Sequence, residues 1–523
     1  MLFRKIAYSL ITLITINVVA FSQNPALSKI DKEDLKRHLT FISSDSLQGR
    51  RFGTEVDGLG ITAEYLKTNA EKIGLKQGAE NYFQNVDIIS SQANENSFIE
   101  IEDKRGKSIF KSASIINLNG GSSNILMEKE DVILTGFAYQ NKKTAYTDFN
   151  EMEIAGKVVI VAQGNPETFK AGDNFNWNNR LEREKFKLIS EKNPRAIILV
   201  TNPQDKENKT FSQIARWLNR ERYVLKNTTE NKEPPTIICT SEFADELLGK
   251  KGKYKKYLAA ISKKRKSNLL VIDNKKLNIK IASKTKTFEA KNVIGIVEGS
   301  DPELKNECVI FLAHYDHLGI SENGDVYNGA DDNGSGTVTL MEVAEAFISL
   351  EEKPKRSIVF LWVTAEEIGL LGSKFYTENP LFPLNKTVAC INIDMDGRVY
   401  EPRDSVWKKS PKMVKDFDGL FTLTNEVWPE LKDINSSACK TLGLIPDYSL
   451  PSNFLRSSDH YYFHEKGVPV LNYATGYHAD YHKVGDEISK INFDKIKRVA
   501  DLCFLVGLEI ANKNKIQFES DDK

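Results

Sequence analysis

Short apolar runs that stop abruptly at charged or imidazole side chains mark the second half of the chain. Val309 to Ala313 ends at His314, Tyr315, Asp316 and His317. Ile358 to Val363 runs towards Glu366 and Glu367, Val388 to Ile393 towards Asp394 and Asp396, and Val468 to Leu471 towards His478 and His482. Runs of this kind predict buried parallel strands. Open α/β sheets build their sites just beyond the carboxyl ends of such strands. Between the first two runs, Asn328 to Gly336 is a turn-rich loop carrying Asp331 and Asp332, and it opens into an apolar helix from Ser335 to Leu350 with Ser335 as its N-cap. Further helical periodicity covers Ile368 to Tyr376 and Phe493 to Ala511. Strands and helices thus alternate from Lys291 onwards. The fold class is α/β, with a mostly parallel central sheet flanked by helices.

Upstream the pattern differs. Residues 29 to 75 read as helical, with Asp31 capping the first helix and a second from Val56 to Ile73, joined by the polar loop Ser43 to Thr54. This segment is expected to be scaffold that packs on the later sheet. Short strands follow from about Gln77 to Ser112. Asp131 to Leu134, Lys157 to Val161 and Ala196 to Val200 then predict a smaller β-rich module with no cluster of metal-ligating residue types. Lys250 to Lys266 is strongly basic and is expected to be a solvated helix face.

Composition narrows the function classes. At 523 residues the chain exceeds one ordinary core and predicts two domains. Lys+Arg and Asp+Glu both total 72, so no net field favours nucleic acid or a membrane surface. Arg4 and Lys5 precede the apolar run Ile6 to Phe21, and Ala20-Phe21-Ser22 supplies small residues for cleavage. Residues 1–22 are therefore expected to be an export signal, leaving a periplasmic or extracellular protein with no stable membrane insertion. Five cysteines without CxxC spacing argue against a disulfide framework.

The chemistry follows from residue types. Six of the seven histidines (His314, His317, His460, His464, His478 and His482) fall in this second half of the chain, and only His38 lies outside. Imidazole together with carboxylate suits zinc or a similar divalent metal. Asp316 stands two residues from His314, close enough to take the hydrogen bond from its second ring nitrogen. Glu366 and Glu367 are adjacent, so one can bind metal while its neighbour stays free as a base. Spacing alone leaves open which acid of each pair is the ligand, and how many metals there are. One bridging carboxylate would make a compact two-metal site.

The ordered set Ala313-His314-Tyr315-Asp316, Gly329 to Gly336, Ala365 to Ser373, Asn392 to Met395 and Tyr481 to Asp486 resembles the M28 metallopeptidases, the co-catalytic zinc aminopeptidases. The resemblance covers roughly 286–512 and, less sharply, 29–112. It implies two zinc ions bridged by Asp332, with His314 and Asp394 on one and Glu367 and His482 on the other. It further implies Glu366 as general base, Asp316 as the partner of His314, Tyr481 as an oxyanion donor, and Asp331 as a neighbour only. Residues 113–285 are similar to the protease-associated domain inserted in many relatives. The implied layout is a signal at 1–22, a peptidase domain split between 23–112 and 286–512, the insertion at 113–285, and a polar tail at 513–523. The implied activity is aminopeptidase action on peptides. Three alternatives stand beside it. A carboxypeptidase would use Arg398 or Arg456 for the free C-terminus. A glutaminyl-cyclase-like enzyme would lack the first histidine ligand, which His314 supplies here. A non-catalytic binding protein would have lost ligands. Tyr461, Tyr462 and Phe463 are candidates for the pocket wall, although the segment 457–464 fits a structural role equally well.

Overall fold

The computed structural model describes residues 24–516 apart from 95, 112–123, 142–145, 149–153, 172–179, 205–210, 213–219, 227–233, 265–268 and 407–412. The expected export signal lies outside the described residues, as does the end of the tail. Two compact units are present. One comprises the described residues up to Asp87 and from Phe288 onwards, and the other is Ile88–Thr287.

The first unit is built on a sheet whose principal strands are β1 (Ser283–Val297), β2 (Cys308–His314), β3 (Ser357–Val363), β4 (Thr387–Ile393), β5 (Gly419–Thr424), β6 (Ile445–Asp447) and β7 (Val470–Ala474). Their spatial order is β1-β3-β2-β4-β7-β5-β6. The four central neighbours β3, β2, β4 and β7 are mutually parallel. Antiparallel β1 flanks them on one side and antiparallel β5 on the other. Parallel pairing brings the carboxyl ends of β2, β3, β4 and β7 to one edge. This is the physical basis for a site assembled from four distant loops.

Helices cover both faces. They are α1 (Lys32–Ile42), α2 (Gly58–Ile73), α3 (Gly336–Ile348), α4 (Leu371–Glu378), α5 (Glu430–Leu442), α6 (His460–Glu465) and α7 (Phe493–Asn512). On one face Phe311 and Phe360 of the sheet stack with centroids 5.5 Å apart and meet Phe347 of α3, which in turn meets Phe504 of α7. On the other face Ile310, Leu312, Leu361 and Cys390 pack with Tyr376 of α4 and Phe463 of α6. Successive strand residues point to opposite faces, so an all-apolar strand serves two helical layers. Asp31 caps α1 by accepting the backbone N–H groups of Glu33 and Asp34. Ser335 holds the N-cap position of α3, but its side chain makes no capping bond. It is itself helical, and its Oγ donates to the Asp331 carbonyl (2.7 Å) and accepts the Asp396 N–H (3.1 Å). The helix start is thereby tied to the site loops on either side of it.

The second unit begins at Ile88, not at 113, and ends at Thr287. The reason is strand pairing. Phe98–Asp103 and Gly106–Lys111 form one antiparallel sheet with Lys275–Ile281 and Ile125–Glu130, so residues well before 113 belong to this core. A second sheet has Thr236–Cys239, Ala196–Val200, Val158–Ala162 and Val132–Leu134 in parallel. Helix Lys253–Lys264 buries Tyr254, Leu258 and Ile261 at helical spacing and turns Lys255, Lys256 and Lys263 outward. The basic stretch is a solvated face over these residues. All five cysteines are free and buried. Among the described residues no helix is long and apolar enough to cross a membrane.

Candidate metal centre

Four loops at the carboxyl edge of the sheet converge. His314 closes β2, and its Nε2 lies 3.5 Å from Asp332 Oδ1 and 3.5 Å from Asp394 Oδ1, just past the end of β4. On the other side of the same carboxylate, Asp332 Oδ2 lies 3.1 Å from His482 Nε2, which is 3.2 Å from Glu367 Oε2. Asp332 therefore turns one oxygen to each of two ligand sets. Its loop runs directly into α3, where the start of the helix passes so close to β4 that a Cβ on Gly336 would fall 2.4 Å from the Ile393 carbonyl oxygen.

Burial and donor chemistry fit divalent cations. Asp332 Oδ2, Glu367 Oε1 and Asp394 Oδ1 are buried without hydrogen-bond partners, although such atoms are normally satisfied. Imidazoles and carboxylates in this mixture suit zinc.

The supporting contacts are specific. His314 Nδ1 donates to the backbone carbonyl of Asp316 (3.2 Å), and the Asp316 carboxylate stands farther off, at 3.7 Å. The hydrogen bond expected for that carboxylate is thus made by its main chain. The Asp316 carboxylate instead accepts the backbone N–H of Glu366 (3.0 Å) and of Glu367 (3.3 Å). It fixes the turn after β3, which Ala365 enters with a φ of 59°. In that turn Glu366 Oε2 comes within 4.0 Å of His314 Nε2. Burial pushes the Glu366 carboxyl well above the ordinary range; His314 opposes the shift, while Glu367, Asp459 and Asp394 add to it.

A buried network holds the Asp331–Asp332 turn. Asp486 Oδ2 accepts both backbone N–H groups at 3.0 Å, and Asp331 Oδ1 accepts the Gly397 N–H, which turns Asp331 away from the ligand role. His478 belongs to this support. Arg398 and the Asp480 N–H both donate to its Nδ1, so its proton sits on Nε2, 3.4 Å from Asp331 Oδ2. Arg50, from the loop expected to be mere scaffold, lies fully buried. It donates to the carbonyls of Ile42, Tyr315, Asn328 and Gly329. Burial lowers its pKa to about 10, with Asp316 and Asp332 opposing.

The pocket over these groups has Asp332, Glu366, Asp394 and His482 at its base, with Phe421, Phe454, Tyr477 and Tyr481 among its walls. Tyr481 stacks on the His482 ring, centroids 3.8 Å apart, and meets Tyr477 edge-on. Tyr461, Tyr462 and Phe463 are not part of the wall. Phe463 packs into the core against Tyr376, and Ser457 and Ser458 face the pocket in their place. One further residue stands among the ligands. His317, which directly follows the first motif and is given no role by it, places Nδ1 2.8 Å from Glu367 Oε1 and 4.0 Å from Asp332 Oδ2.

The profile of peptidase family M28 matches residues 292–506, the span that carries every one of these groups from His314 to Asp486. In this span the chain is similar to peptidase family M28. The chain is 30% identical over 234 residues to aminopeptidase YwaD of Bacillus subtilis, covering 43% of this chain and 46% of that protein. It is 29% identical over 227 residues to leucine aminopeptidase 2 of Trichophyton equinum, covering 38% and 41%. The chain thus spans less than half the length of these curated relatives. In architecture it is similar to an aminopeptidase from Aneurinibacillus sp. strain AM-1, with a TM-score of 0.52 and 19% identity over 95% of this chain and 98% of that one. That likeness bears on the fold alone.

Proposed function

We propose that the chain is an exported zinc aminopeptidase that removes N-terminal residues from peptides. One observation carries this reading: Asp332 offers its two oxygens to two separate sets of imidazole and carboxylate ligands, in the lining of a pocket. His314, Asp332 and Asp394 would hold one zinc ion, and Asp332, Glu367 and His482 the other. When bound, zinc supplies Lewis acidity to the scissile carbonyl and to the attacking water. Glu366, held by Asp316 through its backbone, takes the proton from that water and returns it to the leaving amine. Tyr481 lines the pocket, and its hydroxyl would donate to the developing oxyanion.

Charge on the wall favours the amino end. Among the described lining residues there are three carboxylates and no Lys or Arg, a setting that welcomes an α-ammonium and repels an α-carboxylate. Arg398, the candidate carboxylate receptor, is fully buried and spends its donors on His478 and Asp480. Arg456 lies over the Tyr461 ring, outside the wall. His314 supplies the ligand that a glutaminyl-cyclase-like site would lack, and all five ligand positions are filled, which speaks against a binding-only role. The curated relatives carry the name aminopeptidase.

Peptides blocked at one end or the other test the assignment. Release of N-terminal residues from C-amidated peptides, with N-acetylated peptides left intact, is the expected result. Trimming of N-acetylated peptides from the carboxyl end would overturn it.

A further inference from the structure

We infer that His317 is a sixth protein ligand of the metal centre, its Nδ1 joining Glu367, His482 and Asp332 around one cation. The inference rests on the two-metal reading above and adds to it a residue that the family pattern does not supply.

His317 is fully buried, and neither ring nitrogen has a hydrogen-bond partner among the described residues. Leaving a polar atom dry in this way is costly, so a partner is to be expected. The nearest group is Glu367 Oε1, at 2.8 Å from Nδ1. Yet Nδ1 and Glu367 Oε1 both lack the alignment of a hydrogen bond, so the two atoms lie close without pointing at each other. Two donors in contact but mutually misaligned are what a shared third particle produces. His317, Asp332 and Glu367 each offer one ligand atom, all within 4.8 Å of one another.

The distances fit a single cation. Ligands at zinc bond lengths in a tetrahedron stand about 3.3 Å apart. Here His317 to Glu367 is 2.8 Å, His482 to Asp332 3.1 Å, His482 to Glu367 3.2 Å and His317 to Asp332 4.0 Å. The ring is held for this purpose. The His317 backbone N–H donates to the Arg50 carbonyl (3.2 Å), and the ring packs closely against Gly329. A Cβ at position 329 would fall 2.5 Å from two ring atoms, and a φ of 54° there also favours glycine.

One consequence is asymmetry. The Glu367/His482 cation gains a fourth protein ligand and approaches a closed shell, while the His314/Asp394 cation keeps three and an open position. The first should hold its metal more tightly than the second.

The test uses the full chain, stripped with a chelator and reloaded with zinc, with nitrogen-15 in its histidines. Three ring nitrogens among the seven histidines should move to metal-bound positions on loading; movement of only two would overturn the inference. Chelator competition on His317→Gln should show one of two zinc ions held at least ~10-fold more weakly and the other unchanged. Two zinc ions held at wild-type affinity would overturn it while leaving the proposed function intact. A wild-type chain that takes up fewer than two zinc ions would sink both. Should the variant fail to fold, the wild-type spectrum decides alone.

Discussion

The Asp316 carboxylate holds Glu366 through its main chain: Oδ1 accepts the Glu366 N–H at 3.0 Å. The other oxygen accepts the Glu367 N–H at 3.3 Å. One buried side chain thus sets both members of the glutamate pair, the proposed base and the proposed ligand. Asp316→Asn keeps one acceptor and turns an N–H donor towards the other backbone donor. A fall in kcat of about 10- to 100-fold is expected, the range for groups that orient ligands from behind. Steady-state kinetics beside a thermal melt check this; unchanged kcat would show that the turn holds itself.

Glu366 and Glu367 are adjacent, but their surroundings separate their tasks. Glu367 faces His317 and His482, whereas Glu366 faces the pocket. Glu366→Gln should therefore keep the wild-type zinc content while kcat drops by about 10²- to 10⁴-fold. Elemental analysis of the same preparation used for kinetics makes the comparison direct. Loss of zinc would move Glu366 into the ligand set.

Arg50 satisfies four buried carbonyls from three separate segments. An ammonium cannot reproduce that planar fork. Arg50→Lys should leave some of these carbonyls unpaired, at about 1–3 kcal/mol for each. A lowered midpoint of denaturant unfolding and weaker zinc retention are expected together, because Asn328 and Gly329 belong to the loop that carries Asp332. A stable variant that binds zinc normally would contradict the role.

Glu342 on α3 gives a pH dependence remote from the metal centre. Burial raises its pKa from 4.5 to about 8, opposed by the Asp31 N–H that donates to it and assisted by Glu345. The fold thus favours the protonated form. The associated stability is fully present below pH 4.5 and is lost as pH rises through about 8. Glu342→Gln should flatten the decline in stability between pH 5 and 8, as read from unfolding midpoints. An equal slope in both proteins would refute the assignment.

Much of the site was legible because strand-end chemistry is local. An apolar run ending in His314, or in Asn392-Ile393-Asp394, announces both a buried strand and what lies at its tip. The supports were not legible, because they depend on distant pairings. Nothing near Arg50 hints that it meets the carbonyls of Tyr315 and Gly329. Nothing near Phe98 shows that it will pair with Lys280 and move the unit boundary back to Ile88. Ser335 stands at the cap position that serine prefers, but the Asp331 carbonyl and the Asp396 N–H claim its hydroxyl. Tyr461 and Tyr462 looked like wall residues from composition alone, and the turn into α6 presents Ser457 and Ser458 to the pocket.

Anomalous scattering at the zinc edge from crystals of the zinc-loaded chain tests the central claim most directly. Two peaks about 3.5–4 Å apart are expected, one beside His314 and Asp394 and the other beside Glu367 and His482, with Asp332 between them. A single peak, or two peaks that do not share Asp332, would contradict the account.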